Sequence, residues 1–453
     1  MHISSFVIIA GRDMSFIPAH ESSSGRRAAF VIIDRSSDLA TPCSHSRFLV
    51  HSMFSHNDET WDNFVSQPSL FHPLDESSIM HLNFLLSKSN REAALFIRKW
   101  LREAIREAGL KFMGRSRPGA ASAADLEALS SVLKSNPEAA SKHSSLIQLS
   151  DIACLCLRES NDNIWESSVK NDEIVRLASE DGPESLCSLI LDELAAAGRG
   201  APQPHGILSA VRHLLLGCHW LLKDAVKDRG ASISDSQIFS LTDTARLCEA
   251  LAESTLACIA RWKGIDDDES AVETGCKSET PWLSADLVNR LKSNLSKEDW
   301  FAAELEIRDA SEEVIARVCK MSSLYGSSLE ETAMPLRMEK SYTQGLLIAI
   351  INDIMYGRPV SGLKHMSSSL TGLLKTGLGR IGLQQHHPGD YEIVILFVVG
   401  GLGMNEISGV SCEVDSLLAE SQTIERKLPS VLVGGSVLLQ PTDSIFSILS
   451  SGI

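Results

Sequence analysis

Hydrophobic and polar positions along the chain fall into two regimes. Near both ends, short unbroken apolar runs close on polar or glycine turns. Ala28-Ala29-Phe30-Val31-Ile32-Ile33 stops at Asp34-Arg35, Ile393-Val394-Ile395-Leu396-Phe397-Val398-Val399 at Gly400-Gly401, and Val431-Leu432-Val433 at Gly434-Gly435-Ser436. Runs rich in Val and Ile, without polar alternation, predict strands buried on both faces, as in a parallel sheet flanked by helices. Between about residues 78 and 356 the apolar positions recur at helical spacing instead. Strands of one sheet therefore lie far apart in sequence. The expected fold class is α/β plus all-α: a discontinuous parallel-sheet α/β domain interrupted by a large helical insertion. Residues 1–75 form its first part, 76–340 the helical insertion and 341–453 its second part.

Capping and breaking residues place the helices. Asn90 is positioned to cap a helix whose stripe is Ala93, Ile97, Trp100, Leu101, Ala104, Ile105 and Ala108, ended by Gly109. Pro183 fits the first turn of a helix burying Leu186, Leu189, Ile190 and Leu194 and stopping at Gly198. Further helices are predicted over about 207–228, about 236–262, and from Ser296 to about 322. Two interruptions read as loops: 114–121, with Pro and Gly among basic residues, and 264–280, which opens on Asp266-Asp267-Asp268-Glu269. No internal repeat of solenoid period is visible.

Composition narrows the function classes. A chain of 453 residues is long enough for two or three domains with proper cores. Its formal net charge of −16 argues against nucleic acid and against docking on an anionic membrane, both of which need a basic surface. The ten cysteines lie mostly within helical apolar patterns, without metal spacing, and read as reduced, buried thiols of a cytosolic protein. Residues 6–10 are too short and lack the basic start of a signal segment, and the apolar stretch 394–404 is about half a membrane span. No transmembrane segment is expected.

Open α/β sheets keep their sites at the carboxyl ends of the strands. Asp34 and Asp38 flank Arg35 there, which admits two readings: a metal or phosphoryl site, or a turn capped by the two acids and paired with the arginine. A metal-assisted hydrolase needs more acids or histidines at the other strand ends, and those turns supply glycines and Ser436. Gly400-Gly401-Leu402-Gly403 lacks both the dinucleotide spacing and the Gly-Lys-Ser/Thr ending of a phosphate loop. A tight strand-to-helix turn with Asn405 or Glu406 near the helix start accounts for it. Gly434-Gly435-Ser436-Val437-Leu438 opens like a nucleophile elbow but carries Leu438 in place of the closing glycine. His386-His387 are adjacent, so their imidazoles point apart, and no third metal ligand follows at short spacing; an exposed loop pair is expected.

The same segments carry a family resemblance. The strand and turn from Phe30 through Asp34, Arg35 and Asp38 to Thr41-Pro42 resemble the apolar-strand, Asp-Arg-x-x-Asp, Thr-Pro segment of the SM proteins, the Sec/Munc family of syntaxin-binding SNARE regulators. Ile395 through Gly400, Gly401 and Met404-Asn405-Glu406 resembles that family's late strand, Gly-Gly turn and helix start. Val431 through Gly434, Gly435 and Ser436 to Pro441 resembles its closing strand. Three motifs in the family's order, around a helical region where the family has one, make the match specific. They cover about the first 45 and last 65 residues. Gly403 departs from the pattern, standing where the family usually has Thr.

The resemblance implies a scaffold that binds proteins, with no catalytic residue, cofactor or metal. Asp34, Arg35, Asp38, Pro42, Gly400, Gly401, Glu406, Gly434, Gly435 and Ser436 are then structural motif residues. It implies a cytoplasmic regulator of vesicle fusion that binds syntaxin-type SNAREs, tethering-complex subunits, or both, peripheral on endoplasmic reticulum or Golgi membranes. The divergent middle points to an outlying, Sec-family-domain-containing branch. The family carries another α/β domain upstream, on the order of a hundred residues, and this chain is expected to lack it. Alternatives are a structural subunit of a tethering complex without SNARE contact, and a metal-assisted hydrolase using Asp34 and Asp38.

Overall fold

A computed structural model describes residues 28–55, 76–112, 121–159, 164–200, 206–229, 238–264, 279–293, 295–329, 345–360, 363, 387–421 and 428–450. Most of the two predicted loops, His386, Cys276 and residues 6–10 lie outside these.

The two ends of the chain build one sheet. Strand β1 (Ala28–Asp34) runs parallel to β2 (Ile393–Val399), with Phe30 opposite Ile395 and Ile33 opposite Val398. Strand β4 (Ser430–Gly435) lies parallel to β2 on its other side, giving the order β1-β2-β4. A second, two-stranded parallel pair joins β3 (Leu402–Gly403) to β5 (Leu438–Leu439). Between β1 and β2 lies the long helical region, so the fold class is the discontinuous α/β plus all-α arrangement that the apolar runs predict.

After β1 the chain makes two short 3-10 turns, Arg35–Ser37 and Thr41–Cys43. It then enters α1 (Leu49–Ser55), α2 (Glu76–Leu85), α3 (Asn90–Glu107), α4 (Ala123–Lys134), α5 (Pro137–Lys142) and α6 (Ser144–Glu159). Helices α7 (Ile164–Asp181), α8 (Pro183–Gly198), α9 (Ile207–Arg229), α10 (Leu241–Gly264), α11 (Ala285–Lys292) and α12 (Lys297–Leu329) follow. Helix α13 (Leu346–Tyr356) precedes β2, α14 (Met404–Ser421) connects β3 to β4, and α15 (Pro441–Ser450) follows β5.

Local chemistry sets the helix ends. Ser89, one residue before the predicted cap, accepts from the Glu92 amide while the Glu92 carboxylate receives the Ser89 amide, a reciprocal capping box. Ser240 and Ser296 each accept from the amide three residues on and start α10 and α12. Helix α10 thus begins later than its apolar pattern suggests, and α12 runs seven residues past the predicted end at Ser322, to Leu329.

Burial corrects one expectation. Val31, Ile33, Val394, Leu396, Val398, Val431 and Val433 are buried in one core with Ile351 and Ile354 of α13 and Ile407 and Val410 of α14. On the opposite face Phe30 is 59% and Ile32 63% exposed, and Ile395 and Leu432 are only half-buried. The sheet is therefore buried on one face, not both. An unbroken apolar run carries no period-2 signal, so it cannot reveal which alternate residues face a core.

That first core extends through Ile97 and Leu101 of α3 into Leu126 and Leu129 of α4. A second core joins Leu186, Ile190 and Leu194 of α8, Leu214 and Leu215 of α9, Leu247 and Leu251 of α10 and Val314 and Val318 of α12. Ala40 and Cys43 from the turn after β1, and Ile445 and Ile448 from α15, belong to this second core. The strand-end loops are thus wedged between the two packing units. No described helix is long and apolar enough to cross a membrane.

Candidate functional site

Four of the predicted motif residues, Arg35, Asp38, Pro42 and Glu406, meet at the carboxyl ends of β1 and β2, in a buried polar lock. Arg35 leaves the end of β1, and its guanidinium Nη1 lies 2.6 Å from Oε2 of Glu406, in the first turn of α14. The same oxygen receives the Gly403 amide at 2.9 Å, so Glu406 both pairs with the arginine and caps its own helix. Asp38 is 1% exposed. Its Oδ2 accepts from the Thr41 hydroxyl at 2.6 Å and from the Leu346 amide at 3.0 Å, its Oδ1 from the Thr41 amide. An acid from the β1 turn thus caps the N-terminus of α13 across 308 positions of sequence.

Asn405 completes the join. Its side-chain amide donates to the Thr41 carbonyl at 2.6 Å and the Ser44 hydroxyl at 2.7 Å. Pro42 sits buried in the same turn against Gly403, whose backbone lies so close that a Cβ there meets Asn405 Oδ1 at 2.4 Å and Pro42 Cα at 3.0 Å. This close approach accounts for glycine at position 403, which keeps only the Glu406 half of a capping box while the turn after β1 occupies the space of a side chain. Gly400 and Gly401 adopt φ of 102° and 114°, which favours glycine, and the Gly400 amide donates to the Ser436 hydroxyl at 3.0 Å. Gly434 and Gly435 end β4 beside β2; a Cβ at Gly435 meets Leu402 at 2.8 Å.

Electrostatics follow from three charges in a dry place. Burial works against the Arg35 charge, but Glu406 and then Asp38 outweigh it and raise the guanidinium above its ordinary value. Burial pushes the Glu406 carboxyl up; Arg35 opposes this incompletely, and Asp38 adds to the rise. For Asp38 burial also pushes upward, yet Arg35 and His219 overcome it and hold it low. Asp34 stands apart at the surface, its Oδ1 accepting the Ser36 amide at 2.9 Å, which lowers its pKa. Asp34 and Asp38 therefore do not converge on a common point. Arg35, expected between them as their partner, reaches across to Glu406. Among the described residues no group of three or more His, Cys, Asp or Glu side chains is arranged to hold a metal. His387 is half-buried and structural: Nδ1 accepts the Gly389 amide and Nε2 faces the Arg358 carbonyl at 2.6 Å.

A second lock, which the sequence reading did not find, ties the following segment to the helices. Asp172 of α7 pairs with Nη2 of Arg212 at 2.7 Å and accepts the His45 amide at 2.7 Å. Arg212 also donates to the Cys43 carbonyl at 2.8 Å. His213 places Nδ1 2.8 Å from Glu193 and Nε2 3.3 Å from Asp172. Trp165 donates to the Ser46 carbonyl, and its ring meets those of His45 and His51 edge-on at 4.8 Å. Burial alone would raise the Asp172 carboxyl; Arg212 and His45 hold it well below the usual range. Burial and Arg212 oppose a charge on His213, yet its two carboxylate partners raise its pKa, whereas burial depresses His45 and His51. The available signal was Arg212-His213 inside the apolar run 207–222: charges on a helix hydrophobic all round must find buried partners.

Known proteins resemble the chain in sequence. The chain is 22% identical to Sec1 family domain-containing protein MIP3 of Arabidopsis thaliana, over 94% of this chain and 64% of that one. It is 25% identical to Sec1 family domain-containing protein 2 of Homo sapiens and 24% to that of Mus musculus, each over 92% of this chain and 60% of the other. The chain thus spans about three-fifths of the length of the curated relatives it matches. No family model matches it. Among solved structures it is similar to a chain of the Unc18–syntaxin 1 complex from Monosiga brevicollis, at 12% identity and a TM-score of 0.34, covering 95% of this chain and 62% of that chain. That score is too low to call the two alike in overall shape. The sequence likeness seen in three motifs extends along more than nine-tenths of the chain.

Proposed function

We propose that this chain, which belongs to the SM (Sec1/Munc) family, is a non-enzymatic regulator of SNARE-mediated vesicle fusion that works by holding proteins. The observation that carries this reading is the likeness to Sec1 family domain-containing proteins along almost the whole chain. The lock supports a scaffold role. Arg35 pairs with Glu406, which also caps α14, and Asp38 binds Thr41 and the first turn of α13. Asp34 caps a turn 3-10 in form, and with Asp38 buried elsewhere the hydrolase reading has no pair of acids to act together.

The finer reading is ours. The chain divides into 1–75, 76–340 and 341–453, with the helical part offering the larger partner surface. Its partners are syntaxin-type SNAREs and tethering subunits, and its place is the cytoplasmic side of endoplasmic reticulum and Golgi membranes, reached through those partners. SNARE segments are amphipathic helices, and helical surfaces of this kind accept an apolar stripe. The test is affinity capture from detergent-solubilised membranes with identification of the proteins retained. Recovery of a syntaxin-type SNARE with its cognate partners supports the reading. Recovery of tethering subunits with no SNARE at any detergent condition replaces it with the structural-subunit alternative.

A further inference from the structure

Charge is unevenly spread along the chain. Residues 88–111 hold seven Lys and Arg against three acids, in a chain of net charge −16. Most of that excess sits on one row of α3. Arg91, Leu95, Arg98, Arg102 and Arg106 follow one another at steps of three or four residues, so they share one face of the helix. Arg91, Arg102 and Arg106 are exposed, and Leu95 and Arg98 half-buried. The adjacent row is Glu92, Phe96, Lys99, Glu103 and Glu107, and its charges are already engaged. Glu92 closes the capping box with Ser89, Glu103 lies 4.0 Å from Lys99, and Glu107 lies 2.6 Å from Lys142. Among the described residues no carboxylate pairs with Arg91, Arg102 or Arg106. Elsewhere surface arginines find one: Arg158 pairs with Glu127, Arg176 with Glu180 and Arg290 with Glu306.

We propose that this face of α3 docks an acidic helix of a protein partner, laid along the arginine row. Its carboxylates face Arg91, Arg102 and Arg106, and an apolar residue of its own rests on Leu95. From Arg91 to Arg106 the row is about 22 Å long at the helical rise of 1.5 Å per residue. The surface belongs to α3 itself, so it stands or falls apart from the SNARE reading.

Charge complementarity selects this occupant. A helix carries acids at the same rise and the same three- and four-residue steps, so one straight row meets another. An anionic lipid surface or a nucleic acid presents a broad field of negative charge instead. It would meet Glu92, Glu103 and Glu107 of the neighbouring row together with the arginines. A partner helix answers both rows, with acids facing the arginines and bases facing the acids. Exposed pairs of this kind set orientation and partner choice more than affinity.

The experiment titrates the intact chain into a fluorescein-labelled, end-blocked helical peptide of about 18 residues and follows anisotropy. The peptide carries Glu opposite the arginine row, Leu opposite Leu95 and Lys opposite the acidic row. Saturable binding that weakens with added salt is expected. Arg91→Glu, Arg102→Glu and Arg106→Glu together should weaken it at least roughly tenfold. Lys170→Glu, Arg246→Glu and Arg290→Glu reverse three bases that are paired elsewhere on the surface. Together they should change binding less than about twofold. If the first triple variant does not fold, amide exchange of the wild-type chain decides: the peptide should protect 91–107 and leave 164–181 unchanged. Equal losses in the two triple variants, equally tight binding of a peptide with the same residues but scrambled charges, or protection outside α3 would overturn the assignment. Binding confined to phosphatidylserine vesicles would overturn it too, making the face a lipid contact.

Discussion

Replacing Arg35 with Met tests the first lock most severely. The change keeps an unbranched side chain but deletes the cation lying 2.6 Å from Glu406 and electrostatically coupled to Asp38. Both acids are almost fully buried, 2% and 1% exposed, so water cannot replace the guanidinium. Breaking a buried pair from one side costs about 3–5 kcal/mol, because the remaining charge is stranded. The stranded carboxyls escape by taking protons, which fixes the sign of the pH response. In the variant both acids have folded pKa values above their unfolded ones, so the folded state binds more protons. The contribution of these two acids to stability is fully present below about pH 4 and declines as pH rises through the raised values. In the wild type Glu406 follows that sign, while Asp38, held low, contributes stability that is lost as pH falls.

The deficit of Arg35→Met relative to wild type should therefore be largest near pH 7 and shrink toward pH 5. Urea unfolding followed by tryptophan fluorescence and by circular dichroism measures it. A cycle with Glu406→Leu should show a coupling of about 1–3 kcal/mol, the double variant being more stable than the two single changes add up to. A loss under about 1 kcal/mol that is additive and flat from pH 5 to 8 would refute the claim that Arg35 neutralises a desolvated pair.

Four further outcomes are expected. Asp34→Ala removes only an exposed turn cap and should lower stability by about 1 kcal/mol in thermal unfolding, with partner binding weakened no further than that loss. Gly403→Thr should destabilise by about 1–3 kcal/mol, since Asn405 is pinned by two hydrogen bonds and Pro42 Cα cannot yield; a neutral result would mean that the turn relaxes. Asp172→Asn should cost about 3–5 kcal/mol by stranding Arg212, and should raise amide exchange in 43–52 more than in β2; equal protection in both variants would separate the second lock from that segment. His51 is held neutral by burial, so its contribution is present above the unfolded pKa of about 6.5 and is lost as pH falls below it. His51→Gln should flatten that part of the acid limb in thermal midpoints measured from pH 7.5 to 5.

The strands were legible because each apolar run ends on a turn residue with its own chemistry: Asp34, Gly400 or Gly434. Helix α8 was legible from Pro183 and Gly198, whereas α3 was misplaced at its cap because Ser89 and Asn90 are both good cap residues and only the reciprocal bond to Glu92 distinguishes them. The exposed positions Phe30 and Ile32 were not legible, since a run without alternation names no face. Partners across long separations were not legible either. The motif named Arg35 and Glu406 separately, but their pairing across 371 positions depends on how β1 and β2 align. Asp38 reaching Leu346, and Asp172 joining Arg212 to the Cys43 carbonyl, depend on where the helical part returns to the sheet.

The central claim is that this chain holds SNAREs, and direct binding of purified components tests it. The full chain, with folding verified by circular dichroism, is titrated by calorimetry with a syntaxin-type SNARE of endoplasmic reticulum–Golgi traffic, alone and in a partly assembled SNARE bundle. The account predicts saturable binding to the partly assembled bundle, diminished when an unrelated helical bundle replaces it. A folded chain that binds no SNARE in either form, while still binding tethering subunits, would contradict it.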